Sequence, residues 1–345
     1  MKATSYIDLV TLLKDKVGST MLDFEIEAAA RMAEEIIRLK TEMNAVILGH
    51  NYMSPELFYT IPDFQGDSLD LCRKAASTDK DIIVFCGVRF MAETAKILNP
   101  DKTVLIPAKK AGCSLAEGIT AQDVRQLRQQ YPGVPVVSYV NTYADVKAES
   151  DICCTSGNAA AVVESLGTDT VIFLPDEYLA RNVAEETGRH IIFPTHTGGS
   201  STALDYQMIG WNARCEVHEK FSVEDIELTR KQYPDVMVLA HPECSPEVLN
   251  ASDFSGSTNQ IIKAVDKSHA TQYLVLTECA MGDNIAAAHP EKEMLRMCNI
   301  RCPHMNEITL QDTLEALKQR RYVVEVPSPT MERARQAVER MIAIG

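Results

Sequence analysis

Three stretches of this sequence repeat one order of features, and a chain built that way folds as three similar units rather than around one large sheet. Each stretch opens on a short apolar run that ends in small or polar residues: Val46-Ile47-Leu48-Gly49-His50-Asn51, Val136-Val137-Ser138-Tyr139-Val140-Asn141 and Met237-Val238-Leu239-Ala240-His241-Pro242. Unbroken apolar runs of this length read as strands buried on both faces of a parallel sheet. A serine placed to cap a helix follows (Ser68, Ser156, Ser257), then a second apolar strand at 82–85, 171–174 and 273–276. A helical stretch such as 91–98 or 177–186 comes next, and each copy closes on one cysteine: Cys113, Cys215 and Cys302. The serines stand 88 and 101 residues apart, the cysteines 102 and 87. An insertion of about 14 residues before the second cysteine reconciles both series. The stretch at 194–207, rich in Thr, Gly and Ser, has loop composition.

Strands that alternate with helices predict right-handed βαβ units. The expected fold is α/β, with three pseudo-threefold-related αβα domains, each holding a roughly four-stranded parallel sheet. Ligands collect beyond the carboxyl ends of parallel strands, so three such units facing one axis share a central site. The first repeat with its N-terminal helices is placed at 1–120, the second at 121–222 with the inserted loop near 194–207, and the third at 223–310. Helices at 311–345 are expected to pack back on the first repeat.

Charge and cysteine usage narrow the function. Against 48 Asp and Glu stand 34 Lys and Arg, a formal net charge of −14, which disfavours a protein that binds phosphate backbones by counterion release. The N-terminus lacks the apolar core of a secretory signal, and no apolar run approaches a membrane span. The expectation is a soluble cytoplasmic protein with neither nucleic-acid nor membrane partners. In the cytosol, 10 cysteines read as thiols or metal ligands. A lone buried cysteine is an ordinary core residue, but three at equivalent positions can converge on one metal centre. Three thiolates suit an iron–sulfur cluster with one open iron better than structural zinc, which closes with four ligands. Cys298, close before Cys302, also fits half of a zinc or ferredoxin-like pair. No Gly-x-Gly-x-x-Gly follows the first strand, which speaks against a dinucleotide-binding dehydrogenase. An iron–sulfur hydro-lyase acting on a small carboxylate, or a non-catalytic metal-binding protein, stays open on these features alone.

Nine short motifs then occur in order: Gly49-His50-Asn51-Tyr52, Gly66-Asp67-Ser68-Leu69, residues 87–96, Ala111-Gly112-Cys113-Ser114, Tyr139-Val140-Asn141-Thr142, Cys215-Glu216-Val217-His218-Glu219, His241-Pro242-Glu243-Cys244, Gly256-Ser257-Thr258 and Cys302-Pro303-His304-Met305. As a set, from about Ala45 to Leu310, they resemble the quinolinate synthase family. The resemblance implies the condensation of iminoaspartate with dihydroxyacetone phosphate to quinolinate, with loss of phosphate and water, in NAD biosynthesis. It implies a 4Fe-4S cluster on Cys113, Cys215 and Cys302, a place for Tyr139 and Asn141 in the substrate pocket, and a functional link to an enzyme that makes iminoaspartate. Glu243 is the candidate general base, with a pKa expected to be raised by burial. His50 and Tyr52 are candidates to bind a carboxylate or move protons, alongside His241. Ser68, Ser156, Ser257 and Thr258 mark helix starts suited to anions, with His218 joining the phosphate.

Overall fold

The computed structural model describes residues 4–193, 208–295, 297 and 300–344. Each repeat forms its own parallel sheet. The first holds β1 (Ala45–His50), β2 (Phe64–Gly66), β3 (Ile82–Cys86) and β4 (Thr103–Leu105) in the order β2-β1-β3-β4. The second holds β5 (Val136–Tyr139), β6 (Ile152–Cys154), β7 (Val171–Leu174), β8 (Ile191–Ile192) and β9 (Met208–Ile209), ordered β6-β5-β7-β9-β8. The third holds β10 (Met237–Ala240), β11 (Phe254–Ser255), β12 (Gln272–Leu276) and β13 (Glu293–Leu295), ordered β11-β10-β12-β13. The expected trio of α/β units is present, with one addition: the two-residue β8 makes the second sheet five-stranded. The supposed insertion at 194–207 and Cys298 lie outside the described residues.

One device recurs in all three sheets and fixes their internal alignment. Asp63, Asp151 and Asp253 each accept a hydrogen bond from a backbone N–H of the central strand: Ile47 at 2.9 Å, Val136 at 2.7 Å and Val238 at 2.7 Å. Each carboxylate is also bonded by a cation from the preceding helix, Lys40 at 2.9 Å, Arg128 at 2.8 Å and Arg230 at 2.8 Å. The Asp is thus tied to strand and helix at once, and a helix docked to its own sheet sets where the strand's carboxyl end points. The central strands β1 and β5 are buried throughout, as their unbroken apolar runs require.

The C-terminal helices join units together. Helix Leu310–Gln319 lies on helix Asp23–Glu42, where Lys318 pairs with Glu35 at 2.9 Å. The chain beyond it runs antiparallel along the edge of β4, with Val324 N–H on Val104 O at 2.8 Å. Helix Ser328–Ala343 then packs against helix Ala144–Ala148 and β6 of the second unit and against helix Arg89–Leu98 of the first. Asn158 fastens its end, donating to Ile344 O at 2.7 Å. Among the described residues, no helix is long and apolar enough to cross a membrane.

Candidate functional site

The aspartate clamp sets the register in which side chains leave the strands. Three residues beyond the clamped positions stand His50, Tyr139 and His241; five beyond stand Tyr52, Asn141 and Glu243. All six line one central cavity between the three units. Five residues beyond each clamping aspartate come Ser68, Ser156 and Thr258, which line it as well. Ser257 does not. It occupies the position of Asp67, caps helix Thr258–Lys267 through Gln260 N–H, and donates its hydroxyl to Asp67 Oδ2 at 3.1 Å. Ser257 is thus the cap expected of it, whereas the other two caps are displaced: Asp67 caps helix Ser68–Ser77, and helix Ala159–Ser165 begins beyond Ser156 with Asn158 before it. Helix starts shift by a residue or two at little cost, so a serine in the sequence does not fix which residue becomes the cap.

The three predicted cysteines reach the same cavity by one construction. In each unit the first residue of the helix after the third strand (β3, β7 or β12) donates its N–H to the carbonyl two residues before the cysteine: Arg89 to Ala111 at 2.8 Å, Glu177 to Ala213 at 2.8 Å, Cys279 to Ile300 at 3.2 Å. Cys279 is the first residue of helix Cys279–Ala288. Each thiol then meets the N–H groups of the second and third residues after it: Leu115 and Ala116, Val217 and His218, His304 and Met305. Burial pushes all three thiols up, Cys302 to about 11 and the others further. All three are partly accessible and line the cavity. Three thiolates facing one cavity need a cation to coexist, and paired N–H donors are what a metal-bound thiolate uses. The donor set therefore fits a three-cysteine iron–sulfur cluster.

Glu243 is the hub of the remaining groups. Tyr139 donates its hydroxyl to Oε1 at 2.5 Å, Asn141 Nδ2 donates to the same oxygen at 3.2 Å, and His218 Nδ1 lies 2.7 Å from Oε2. Burial alone would raise the Glu243 pKa, which was the expectation. The coulombic pull and hydrogen bond of His218, with the Tyr139 hydroxyl, outweigh it and hold the carboxyl well below its usual range. His50 and His241 are brought down by burial, to about 4 and about 3, against the pull of Glu243, so both are neutral near pH 7. In each, Nδ1 accepts the N–H two residues on, Tyr52 at 3.2 Å and Glu243 at 3.3 Å. That assigns the hydrogen to Nε2, which makes both imidazoles donors. His241 Nε2 lies 3.2 Å from Ser156 Oγ, and its ring stacks on His218 at 4.7 Å. Among the described residues, no Lys or Arg lines the cavity.

Comparison with known proteins decides the family. The profile described as quinolinate synthetase A protein matches residues 34–343. The chain belongs to the quinolinate synthase family. It is 53% identical over 332 residues to quinolinate synthase 2 of Mesorhizobium japonicum, covering 96% of this chain and 97% of that protein. It is similar to the quinolinate synthase of Agrobacterium fabrum (53% identical, 96% and 91% covered) and to that of Xylella fastidiosa strain Temecula1 (53%, 90% and 86%).

Within this quinolinate synthase fold, two features escaped the sequence reading. Thr277, at the end of β12, bonds Tyr52 Oη at 2.6 Å and His218 Nε2 at 2.9 Å. A continuous chain therefore runs Tyr52–Thr277–His218–Glu243. No local motif flags Thr277, because its partners come from 225 and 59 residues away. The second feature is a donor trio of Cys215, His218 and Glu243, whose ligand atoms lie within 4.8 Å of one another and could hold a metal ion. His218 Nδ1 is 3.2 Å from Cys215 Sγ, so these atoms also satisfy one another by hydrogen bonding. His218 thus stands between the cysteine side of the cavity and the carboxylate side.

Proposed function

We propose that this protein is a cytoplasmic quinolinate synthase of de novo NAD biosynthesis. It joins iminoaspartate to dihydroxyacetone phosphate, releasing phosphate and water, with a 4Fe-4S cluster on Cys113, Cys215 and Cys302. The observation that carries the reading is the convergence of one cysteine from each unit on the cavity that holds His50, Tyr52, Tyr139, Asn141, His218, His241 and Glu243. Membership of the quinolinate synthase family supports this choice of substrates. When bound, the cluster would supply a Lewis-acidic iron with an open position.

The other tasks fall to this chain's side chains. The substrates bring two carboxylates and a phosphate, and the described residues that line the cavity offer them neutral donors rather than Lys or Arg. Ser68, Ser156 and Thr258 offer hydroxyls at three equivalent positions of the units, and His50 and His241 offer Nε2–H. Burial and Glu243 raise the Tyr52 and Tyr139 hydroxyls well above their ordinary range, so both remain proton-bearing donors. Glu243 holds three donors as a carboxylate, and it accepts a proton once substrate draws one of them away. The Tyr52–Thr277–His218 chain gives that proton a path. An enzyme that produces iminoaspartate is the implied partner.

Anaerobic reconstitution followed by a quinolinate assay tests this. Wild type is expected to bind about four irons per chain and turn over, and each Cys→Ala variant at 113, 215 or 302 to lose both. A full cluster without quinolinate rejects the substrates; zinc without a cluster rejects the cofactor.

A further inference from the structure

Lys147 is a buried cation in a place where the other two units are apolar. Eleven residues beyond the clamped strand position, the first and third units carry Phe58 and Leu249, and the second carries Lys147. Its side chain is fully buried, and among the described residues it makes no ion pair. An ammonium taken out of water costs several kcal/mol unless it is fully hydrogen-bonded. Since two of three copies build this helix position without a charge, the fold alone does not call for one.

The acceptors show what the charge does. Lys147 Nζ donates to Val140 O at 2.7 Å, to Thr142 O, and to Thr142 Oγ1 at 3.4 Å. These carbonyls flank Asn141, whose side chain bonds Glu243. Thr142 Oγ1 in turn donates to Tyr139 O at 3.0 Å. The ammonium also lies 5.5 Å from the ring centre of Phe90, which lines the cavity. The other units stiffen the same stretch covalently, with Pro55 and Pro246 opening the next helix after a serine. The second unit has Ala144 there, its N–H held by Glu93 Oε2 at 2.8 Å. A carboxylate at one end and an ammonium in the middle replace the ring of proline.

We propose that Lys147 is a positioning residue of the central site, holding the peptides on either side of Asn141 so that Tyr139 and Asn141 stay aimed at Glu243. The kinetic part of this rests on the function proposed above; the structural part does not. Lys96 is the matched control, because it is also buried and donates to two carbonyls, Pro100 and Lys102, yet does not line the cavity.

The experiment compares Lys147→Met with Lys96→Met by hydrogen exchange of residues 139–144, urea midpoint, iron content and quinolinate kinetics. For Lys147→Met, exchange in 139–144 and kcat/KM should each change at least about tenfold with iron retained, while Lys96→Met stays within about twofold in both at a similar urea midpoint. If exchange or kcat/KM of Lys147→Met stays at the wild-type value, or if Lys96→Met loses as much, the proposal is overturned. Should Lys147→Met fail to fold, Lys147→Gln, which keeps two N–H donors, is read by the same criteria. A wild type that makes no quinolinate defeats the function proposal, and the exchange comparison alone then decides Lys147.

Discussion

Replacing Tyr139 by Phe removes one of the three side-chain donors that meet the Glu243 carboxylate. The Tyr139 hydroxyl donates to Glu243 Oε1 at 2.5 Å, and both residues are only 4% exposed. Asn141 at 3.2 Å on the same oxygen and His218 at 2.7 Å on the other are left to hold the charge. A hydrogen bond to a buried ionised group contributes about 1.5–3 kcal/mol, which corresponds to a loss of roughly 10- to 150-fold in kcat/KM if the carboxylate is the base. The sign of the pH effect follows from the depressed pKa. A carboxyl held below its unfolded value contributes stability above that unfolded value and loses it as pH falls through the folded pKa. Without Tyr139 the folded pKa rises, so less of that stability is present at neutral pH and the acid limb of activity moves upward. Anaerobic quinolinate formation across the accessible pH range, with iron content and urea midpoints measured on the same samples, reads all of this. A variant with full iron and unchanged kcat/KM at every pH would refute the assignment of Glu243 as a base tuned by Tyr139.

Thr277→Val keeps the shape but leaves Tyr52 Oη and His218 Nε2 without their common partner, and kcat is expected to fall about 10²-fold with iron unchanged; an unaltered kcat excludes the relay. Cys113→Ser, Cys215→Ser and Cys302→Ser should each lower bound iron and sulfide, measured chemically, while the metal-free proteins keep wild-type circular dichroism, because each cysteine lies outside the sheets. His50, with its pKa lowered to about 4 by burial, stays neutral in the fold but charges when unfolded, so it adds stability above pH 6.5 that is lost as pH falls towards 4. The urea midpoint of metal-free His50→Gln should accordingly depend less on pH in that window, by an amount on the order of 3 kcal/mol at most; parallel pH curves for the two proteins would count against a buried neutral imidazole.

The threefold architecture was legible because its signals are local. An apolar run ending in His50, Tyr139 or His241 specifies a buried strand and its exit residue within a few positions, and the recurring interval to a cysteine marks the unit length. The clamping aspartates Asp63, Asp151 and Asp253 were also there to read, at a constant five residues before Ser68, Ser156 and Thr258. They would have aligned the third copy on Thr258 rather than Ser257. Composition misses this because serine and threonine both suit a helix start, and only the register of the strand decides which of two neighbours faces the cavity.

Charge states and long-range partners were decided elsewhere. Burial by itself predicts a raised pKa for Glu243, and the opposite outcome depends on donors from the second and third units meeting at one carboxylate. Thr277 and Lys147 carry no motif, and their roles exist only because β12 ends beside Tyr52 and because helix Ala144–Ala148 folds back under Asn141. By itself the sequence determined three parallel sheets, the residues at their strand ends and the cysteine that closes each unit, since these follow from patterns shorter than one repeat. The tertiary structure alone decided which of those groups are charged, which are donors and which hold the others in place, because hydrogen bonds and desolvation are set by atoms that become neighbours only when the three units close around a common cavity.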